Sequence, residues 1–425
     1  MKNVHTYTFG CKVNFFDTTQ LEAILRDAGS AKIDAAKISK PDAVVVNTCT
    51  VTENADKQAN QLIRKIKREH PETKIVVTGC YAQANGDEIA SMPEVDHVVS
   101  FSEQMQLPSA LGWEDKRTSL TLPIVKSNRT RANVKIQDGC KAYCSYCILP
   151  YVRGKSQSVS LEHILQQVDG FVGDGHQEVV ITGTHIAGYG RDFPKRKRLS
   201  DVLYAIYNQH PSLWIRISSL EPVGLTPDFI KAVSEIPTIR PHFHIPLQSG
   251  HDDVLKSMNR KYKTKHYQER IEKLVSTQPH VNIGTDVIVG YPGETKEQFL
   301  ATCEFVKKMP ITYLHVFPYS SRPGTKSASM QETVSINEKK KRVRTLMDIG
   351  KAKKQAFMQR FHQQIVPVMI EKNRTSLGWL KGITPHYISV HVQGNDRLMQ
   401  QEVDVELVHL CTDQTLGLYY QGRVV

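Results

Sequence analysis

The sequence lacks any apolar run long enough to cross a membrane. No window approaches the roughly eighteen consecutive apolar residues that indicate a spanning helix. The first residues, MKNVHTYTFG, also lack the basic and then apolar order of a signal peptide. A hydrophobic content of 40% is ordinary for a folded protein and excludes disordered and collagen-like classes. We therefore expect a cytoplasmic protein with no membrane partner.

Acidic residues are fewer than basic ones. The 425 residues contain 55 Lys and Arg against 43 Asp and Glu, a formal net charge of +12. This excess favours a polyanionic partner such as RNA. Candidate RNA-binding runs are RKIKR from Arg64, KRKR from Lys195 and KKKRVR from Lys339. Each run is equally compatible with an ordinary solvated face.

Cysteine is scarce, but three of the eight cysteines lie within eight residues of one another. The stretch QDGCKAYCSYCILPY contains Cys140, Cys144 and Cys147 and follows a predicted strand from Asn133 to Ile136. A structural zinc site usually takes four protein ligands, so three thiols leave one coordination position open. The spacing suits a 4Fe-4S cluster with one exposed iron, and a three-cysteine zinc loop is the alternative.

Three further cysteines occupy equivalent places near the N-terminus. Cys11, Cys49 and Cys80 each follow a predicted strand by one to three residues, the strands being His5 to Phe9, Ala43 to Asn47 and Lys74 to Thr78. Parallel strands place their carboxyl ends at one edge of a sheet, so these thiols are expected to converge on a second three-thiolate cluster. The alternative is three unrelated buried cysteines. Cys303 and Cys411 are interpreted as packing residues.

Three segments follow from the periodicity. Residues 1–120 alternate strands with helices, which predicts a parallel α/β sheet; the helices are expected at Thr18 to Ala28 and Asn54 to His70. The segment from Phe101 to Thr130 is interpreted as a linker. Residues 126–362 contain six strand and helix units, too few for an eight-fold barrel, followed by a long helix starting in a Ser335 to Glu338 capping box. Residues 363–425 contain short β-rich runs that predict a small antiparallel barrel. The expected fold class is α/β, with an N-terminal parallel sheet, a central partial (β/α)6 barrel and a terminal β-barrel.

These features resemble the radical S-adenosylmethionine methylthiotransferases. The C-x3-C-x2-C spacing with Tyr146 before the last cysteine carries the resemblance, together with RISSLEP from Arg216, HIPLQSG from His244, TDVIVGYPGET from Thr285 and FPYSSRPGT from Phe317. It covers essentially the whole chain, as a methylthiotransferase domain, a radical domain and a TRAM RNA-binding domain. The opening string GCKVNFFDT is similar to the branch that modifies threonylcarbamoyladenosine beside the tRNA anticodon.

The resemblance implies two 4Fe-4S clusters and S-adenosylmethionine as cofactors. Both cysteine sets then act as metal ligands and catalytic groups. A methylthio group is expected to be placed on carbon 2 of the modified adenine by radical chemistry. The implied partners are the tRNA anticodon loop and an electron donor such as a flavodoxin or ferredoxin.

Further site residues are weaker predictions. The candidates for cofactor binding are Tyr146, Arg153, Gly183, Thr184, Arg216, Gln248 and Gly290. The turn TGTHIAG lacks the Gly-Gly-Glu that the superfamily uses, so Gly183 and Thr184 match it loosely, and the two arginines could equally lie at the surface or barrel rim. Asn14 and Asp17 are candidates to support the N-terminal cluster or its substrate, and the alternative is a loop or helix-cap role. Lys381, His386 and Tyr387 are candidates for RNA binding.

Three alternatives stay open at this level. The same chemistry could act on isopentenyladenosine in tRNA or on an aspartate of a ribosomal protein. The chain could also be a zinc-containing RNA-binding protein that uses its thiols structurally.

Overall fold

The computed structural model describes residues 2–28, 31–33, 41–115, 117, 123–278, 280–413 and 417–425, with the backbone alone for 31–33. The strands are β1 Lys2–Thr8, β2 Ala31–Ile33, β3 Ala43–Thr48, β4 Lys74–Gly79, β5 His97–Val98, β6 Ala132–Asp138, β7 Gln157–Ser158, β8 Glu178–Gly183, β9 Trp214–Ile217, β10 His242–His244, β11 Asn282–Val289, β12 Tyr313–Pro318, β13 Ile365–Arg374, β14 Leu380–Ile383, β15 Ser389–Val392, β16 Glu402–Asp413 and β17 Gly417–Val424. The α-helices are α1 Lys12–Asp27, α2 Glu53–Glu69, α3 Cys80–Ala84, α4 Gly86–Ala90, α5 Leu107–Ala110, α6 Leu149–Val152, α7 Leu161–Gly173, α8 Leu199–Gln209, α9 Pro227–Glu235, α10 Asp252–Ser257, α11 Thr264–Thr277, α12 Lys296–Lys308 and α13 Ile336–Gln359. Within these described ranges, no helix combines the length and apolar character of a membrane span.

The N-terminal part is a five-stranded parallel sheet in the order β2-β1-β3-β4-β5. The central strand β3 has the sequence AVVVNT and is buried throughout, because helices cover both of its faces. The predicted parallel sheet is confirmed. Helix α1, however, begins at Lys12, six residues before its predicted start, so Cys11 stands at its N-cap.

The segment predicted as a linker is partly structured. A 3₁₀ turn spans Phe101–Gln106 and α5 follows directly. Leu107 and Leu111 are buried against the N-terminal sheet. Residues 116 and 118–122 lie outside the described residues, and with them the predicted boundary at residue 120.

The central part is a curved sheet of six parallel strands. One half has the order β7-β6-β8-β9, with β7 antiparallel, and the other half has the order β10-β11-β12. Isolated parallel bridges, such as Ser219 to His244, join the halves. Alternate residues of each strand pack outward on helices in the largest core of the protein, and the others face inward. The predicted partial barrel of six units is confirmed.

The inner face of the curved sheet is turned toward helix α1. Lys135 of β6 reaches across to this helix, with its Nζ 2.6 Å from Oδ1 of Asp17. The space between sheet and helix therefore borders on both cysteine sets, and we call it the lumen.

The terminal part is a small closed barrel in the order β13-β14-β15-β17-β16, antiparallel except for the β15–β17 pair. Helix α13 leads into it. Ser335 caps this helix by accepting a hydrogen bond from the Glu338 N–H. The Glu338 carboxylate pairs with Arg342 one turn later, so the predicted reciprocal half of the capping box is replaced by this i,i+4 ion pair.

Candidate active site

The three N-terminal cysteines meet at the carboxyl edge of the first sheet. Cys11 precedes α1, Cys49 follows β3 and Cys80 opens α3 directly after β4. The Asn14 Oδ1 atom lies 3.8 Å from the Sγ atoms of both Cys11 and Cys80. A methyl group at Gly10 would lie 2.9 Å from the Cys49 Sγ. The structure therefore brings the three thiols around one point, as the strand positions predict.

Burial dominates the acid–base behaviour of the Cys49 and Cys80 thiols. It raises the pKa of Cys80 to about 12 and also raises the pKa of Cys49. A metal ligand must be a thiolate, so metal binding here would release protons. The donor set, three convergent thiols with a nearby guanidinium, fits a metal cluster that leaves one position for chemistry.

The central cysteines occupy the loop after β6. Gly139 opens this loop with φ +68°, and its Cα hydrogen faces the backbone of residues 154 and 155, where a side chain would clash. Ser145 holds the middle of the loop. Its hydroxyl donates to the Ser257 carbonyl at 2.7 Å, and its backbone N–H donates to the Met258 carbonyl. The loop geometry is therefore determined by long-range contacts on both sides.

The thiols of this loop are also shielded. Burial raises the pKa of Cys147 to about 12 and raises the pKa of Cys140. The Ala142 N–H donates to the Cys140 Sγ at 3.4 Å, and Arg260 Nη1 donates to the Cys144 Sγ at 3.2 Å. These donors stabilise negative charge on sulfur, which suits thiolate ligands.

Arg153 links Cys80 of the N-terminal set to Asp138, which lies two residues before Cys140 of the central set. Its Nε donates to the Cys80 Sγ at 3.3 Å, its Nη1 donates to both carboxylate oxygens of Asp138 at 3.0 and 3.1 Å, and its Nη2 donates to Asn14 at 2.7 Å and Asp17 at 2.8 Å. All three nitrogens of the guanidinium therefore donate hydrogen bonds to protein groups. In this structure Arg153 joins the N-terminal part to the central part, and its predicted role in cofactor binding stays a prediction.

Asn14 and Asp17 are buried supports, as one of their predicted roles requires. Both side chains are almost fully buried. Asn14 Nδ2 donates to the carbonyls of Phe9 and Thr48, at 2.8 and 2.9 Å, which ties the start of α1 to the ends of β1 and β3. Asn14 contacts Cys11, Cys80 and Arg153, and Asp17 binds Arg153.

Gly183 and Thr184 lie beside the central cysteine loop. Thr184 Oγ1 donates to Asp138 at 2.7 Å, and the next residue, His185, donates its N–H to Gln137 Oε1 at 2.6 Å. A methyl group on Gly183 would lie 2.6 Å from the Gln137 carbonyl oxygen. The β8 turn is therefore locked against the strand that carries the cysteines.

A cavity of about 410 Å³ opens next to the central cysteines. Cys144, His185, Glu221 and Arg260 contribute to its wall. Arg260 forms an ion pair with Glu221, and its side chain is nearly fully buried. The volume falls in the range of small-molecule pockets. We call it the cofactor cavity.

Sequence reasoning missed Glu221 and Arg260. Glu221 lies in the string RISSLEP, just beyond the carboxyl end of β9, which is a position where parallel sheets place site residues. Arg260 had no such signal, because it follows a short helix and reaches Cys144 only through the tertiary fold.

Tyr146, Gln248 and Gly290 have mainly structural surroundings. The Tyr146 hydroxyl lies 3.5 Å from Arg260 Nη1, behind a residue that lines the cofactor cavity. Gln248 has φ +69° and donates its N–H to the Asp286 carbonyl at 2.8 Å. Gly290 has φ +68° and faces Lys339 of α13. Gln248 and Gly290 do not line the cofactor cavity.

Arg216 lies away from the central cysteine loop. Arg216 of β9 pairs with Val180 of β8, and Val180 pairs with Asn133 of β6. Arg216 is therefore level with the start of β6, whereas Cys140 follows the end of that strand. Five residues of strand separate the two levels, about 16 Å. Arg216 Nε donates to Glu178 at 2.7 Å. Arg216 therefore lies at the terminal barrel, a position that does not favour its predicted role with S-adenosylmethionine.

The predicted RNA-binding residues of the terminal barrel divide into two groups. Lys381 is partly exposed, with its Nζ 3.8 Å from Glu371. His386 packs on Phe361 with ring centroids 4.7 Å apart, and burial lowers its pKa to about 4, so it carries no charge for RNA. Tyr387 stacks on His242 at 4.4 Å between ring centroids, so both rings belong to the junction with the central part.

The basic run from Lys339 is partly buried. Lys339 Nζ lies 2.6 Å from Glu332, and Arg342 Nη1 lies 2.7 Å from Glu294. These two cations stabilise the junction of α13 with the sheet, which corrects the interpretation of the whole run as an RNA contact.

A polar triad faces the lumen from three neighbouring strands. His244 Nε2 and His315 Nδ1 lie 2.9 and 3.3 Å from Asp286 Oδ1. Burial alone would raise the pKa of Asp286, but the two histidines outweigh it and lower that pKa to about 2. Sequence reasoning missed this triad, because its members come from three separate strings.

The chain is similar to known families and proteins over most of its length. Residues 3–100 match an uncharacterized protein family, UPF0004, and residues 134–306 match the radical SAM superfamily. The chain is 34% identical to threonylcarbamoyladenosine tRNA methylthiotransferase MtaB of Bacillus subtilis, over 96% of this chain and 94% of that protein. It is 30% identical to tRNA-2-methylthio-N(6)-dimethylallyladenosine synthase of Aquifex aeolicus, over 94% of each.

Among solved structures, the radical S-adenosylmethionine methyltransferase TsrM of Kitasatospora setae matches with a TM-score of 0.59 at 13% identity, over 77% of each chain. That likeness concerns the fold alone. The two matched domains and the full-length relatives establish the family. The chain belongs to the radical S-adenosylmethionine methylthiotransferases.

Proposed function

We propose that this enzyme methylthiolates carbon 2 of N6-threonylcarbamoyladenosine beside the tRNA anticodon. One observation carries the proposal: three thiols meet at the edge of the N-terminal sheet, three more follow β6, and Arg153 binds both Cys80 and Asp138, two residues before Cys140. Relatives named for tRNA methylthiolation match nearly the whole chain, and several of those that match well are MtaB proteins. Family membership supports a 4Fe-4S cluster and S-adenosylmethionine as cofactors.

Each thiol set has a distinct task in this proposal. Cys140, Cys144 and Cys147 would hold the cluster that binds S-adenosylmethionine. A second cluster would be held by the N-terminal set, Cys11, Cys49 and Cys80. When bound, these groups supply the reductive cleavage of S-adenosylmethionine and the sulfur to be transferred.

The walls of the cofactor cavity would bind and orient S-adenosylmethionine. Arg260 and Glu221 offer a cation and a carboxylate at the side of Cys144, so the amino-acid and ribose groups of the cofactor have partners of opposite character. The turn after Gly183 would present its backbone to the same molecule. These residues exclude water and hold the reacting bond in one direction.

The Arg153 network would keep the two sites at a constant separation. Asp17 comes from α1, Asp138 from the end of β6 and Arg153 from the segment after the cysteine loop. An ion network this deeply buried resists rearrangement, because breaking one pair leaves an uncompensated charge. The lumen between the sites would receive the adenine, which must leave the stacked anticodon loop.

Iron content tests the two clusters separately. The protein is purified without oxygen, reconstituted with iron and sulfide, and compared with two triple alanine variants, one for each cysteine set. We expect about eight irons per chain in the unchanged protein and about four in each variant, from four per cluster. A colourless protein that binds zinc would overturn the proposal in favour of a structural zinc protein.

Product analysis tests the substrate. With a chemical reductant and S-adenosylmethionine, the enzyme is given tRNA carrying threonylcarbamoyladenosine, tRNA carrying isopentenyladenosine, and a ribosomal-protein peptide. We expect a methylthio group on the first RNA alone, detected by nucleoside mass spectrometry. Reaction with the isopentenyl RNA alone, or with the peptide alone, would overturn the proposed substrate.

A further inference from the structure

A second cavity, of about 370 Å³, lies where the N-terminal helix α1, the central sheet and the terminal barrel meet. Its wall is rich in cations, and its charged members are Lys12, Arg129, Arg131, Arg216, Lys372 and Glu371. Five cations therefore face a single carboxylate in the wall, and one of the five, Arg216, is also paired with Glu178 behind the wall. We call it the cationic cavity.

The positive charge of this cavity is only partly compensated. The Glu371 carboxylate is already shared, 2.6 Å from Arg131 and 3.8 Å from Lys381. Arg131 Nη1 is buried and has no hydrogen-bond partner. Among the residues that the structure describes, no carboxylate lies within ion-pair distance of Arg129 or Lys12. A buried donor without a partner is costly, so the site is suited to receive an anion.

The cavity lies next to the proposed sulfur-donating site. Lys12 directly follows Cys11, and the Arg129 guanidinium stacks 3.8 Å above the ring of Phe15, one turn along α1. Helix α1 therefore carries one ligand of the N-terminal thiol set and one wall of the cavity. An anion bound here would therefore lie close to the N-terminal thiol set, and its two possible sources are an RNA phosphate and a charged group on the reacting base.

The depth of Arg131 favours the second of these two sources. Its side chain is 16% exposed, whereas Arg129 beside it is an exposed residue. A phosphate of the RNA backbone stays at the protein surface, whereas a substituent on the adenine enters the lumen with the extruded base. The threonylcarbamoyl group ends in a carboxylate, and guanidinium groups bind carboxylates with paired hydrogen bonds. An isopentenyl group has no charge and would leave these donors without partners.

We propose that the cationic cavity binds the carboxylate of the threonylcarbamoyl group, with Arg129 and Arg131 as its main donors. This assignment rests on the proposed function and names the residues that select its substrate. Glu371 competes with the incoming carboxylate for Arg131.

Binding measurements test the assignment without any turnover. Three anticodon stem-loop RNAs of one sequence carry threonylcarbamoyladenosine, its carboxamide, which has the same shape without the charge, or unmodified adenosine. Dissociation constants are measured by fluorescence anisotropy with the reconstituted protein. We expect a preference of about tenfold for the carboxylate over the carboxamide, from charge-assisted hydrogen bonds in a buried site.

Variants locate that preference. Arg129→Gln and Arg131→Gln are expected to reduce it to about twofold or less, while Lys265→Gln, at an exposed cation of α11, keeps it. Glu371→Gln removes the competing carboxylate and is expected to increase the preference above that of the unchanged protein. An increase cannot come from misfolding, so this variant keeps the test decisive if an arginine variant fails to fold.

Two outcomes would overturn the assignment. If the arginine variants weaken binding of all three RNAs equally, the cavity binds a phosphate. If they keep the tenfold preference, the carboxylate is bound elsewhere, and the proposed function stands. A protein that shows no preference for the threonylcarbamoyl RNA over the unmodified one would count against the proposed function itself.

Discussion

Arg153 illustrates how one buried side chain can determine the distance between two reactive sites. Its side chain is 2% exposed, and its partners come from α1, from the end of β6 and from Cys80. No other residue type offers five donors in a rigid plane. The residue is therefore a positioning residue for both thiol sets.

Replacing Arg153 tests this role. Arg153→Met leaves Asp17 and Asp138 with fewer counter-charges, so we expect the free energy of unfolding to fall by about 3–5 kcal/mol. Iron retained by the N-terminal set should fall as well, because Cys80 and Asn14 lose a shared partner. Urea titration and iron analysis measure the two effects. Lys155→Met, at an exposed position two residues away, should change neither, and an unchanged urea midpoint for Arg153→Met would contradict the role.

His386 provides a residue-scale pH effect. Burial lowers its pKa to about 4, below the ordinary value near 6.5. The folded state therefore binds fewer protons than the unfolded chain between pH 6.5 and 4. The contribution of neutral His386 to the free energy of unfolding is present above pH 6.5 and is lost as the pH falls toward 4. The loss is at most about 2 kcal/mol at pH 5.

His386→Leu should flatten this pH dependence. The substitution keeps an apolar contact with Phe361 and removes the titrating group. The midpoint of urea unfolding at pH 7 and at pH 5 provides the measurement. His362→Leu, at an exposed histidine, should keep the slope of the unchanged protein, and an equal slope in both variants would show that His386 is not responsible.

At the scale of elements, the turn between β4 and α3 determines where Cys80 lies. Gly79 has φ +95°, and any side chain there would collide with the Asn47 side chain and the Thr48 backbone. Glycine is required because only it tolerates both the conformation and the close approach. The strand end therefore delivers Cys80 directly to the thiol set.

Gly79→Ala should disturb this delivery. Strain and the clash together are expected to cost at least about 2 kcal/mol and to reduce the iron bound by the N-terminal set. Thermal unfolding and iron content are the measurements. Gly86→Ala, where a methyl group meets nothing within 4 Å, is the matched control, and equal behaviour of the two variants would contradict the argument.

Elements also differ in how readily their sequences predict them. The buried run AVVVNT and its neighbours predicted the N-terminal sheet, because continuous apolar runs report strands covered on both faces. The start of α1 was missed, because Asn14 and Asp17 are polar residues in its first turns and resemble a loop. Their burial comes from Arg153 and the strand ends, which no local pattern contains.

At the scale of the whole molecule, the terminal barrel is fastened to the central part by buried polar contacts. Arg240 is 1% exposed and pairs with Glu178 of the central sheet and Glu402 of the terminal barrel. Asn282 donates to the His386 carbonyl at 2.5 Å. The two parts therefore share one interface, and the cationic cavity lies at its edge.

Arg240→Met should loosen this interface. Removing a buried charge from two carboxylates is expected to cost about 3–5 kcal/mol and to make the chain near residues 359–365 more sensitive to protease. Limited proteolysis followed by mass spectrometry locates the cut. Arg374→Met breaks a more exposed pair with Asp396 inside the terminal barrel and should cost about 1 kcal/mol or less. Equal protease sensitivity in both variants would argue against a fastening role.

The sequence by itself determined the parallel sheet, the six-unit partial barrel, the terminal barrel and the grouping of the six cysteines. These features are local, because strand periodicity and the position of a cysteine after a strand can be read within a few residues. Only the tertiary structure decided that Arg153 joins the two thiol sets, that Arg260 and Glu221 line the cofactor cavity, and that Arg216 and Tyr387 lie at the domain junction. Those outcomes depend on which distant residues become neighbours, and pairing energies between buried charges act across hundreds of positions without leaving a pattern in the local sequence.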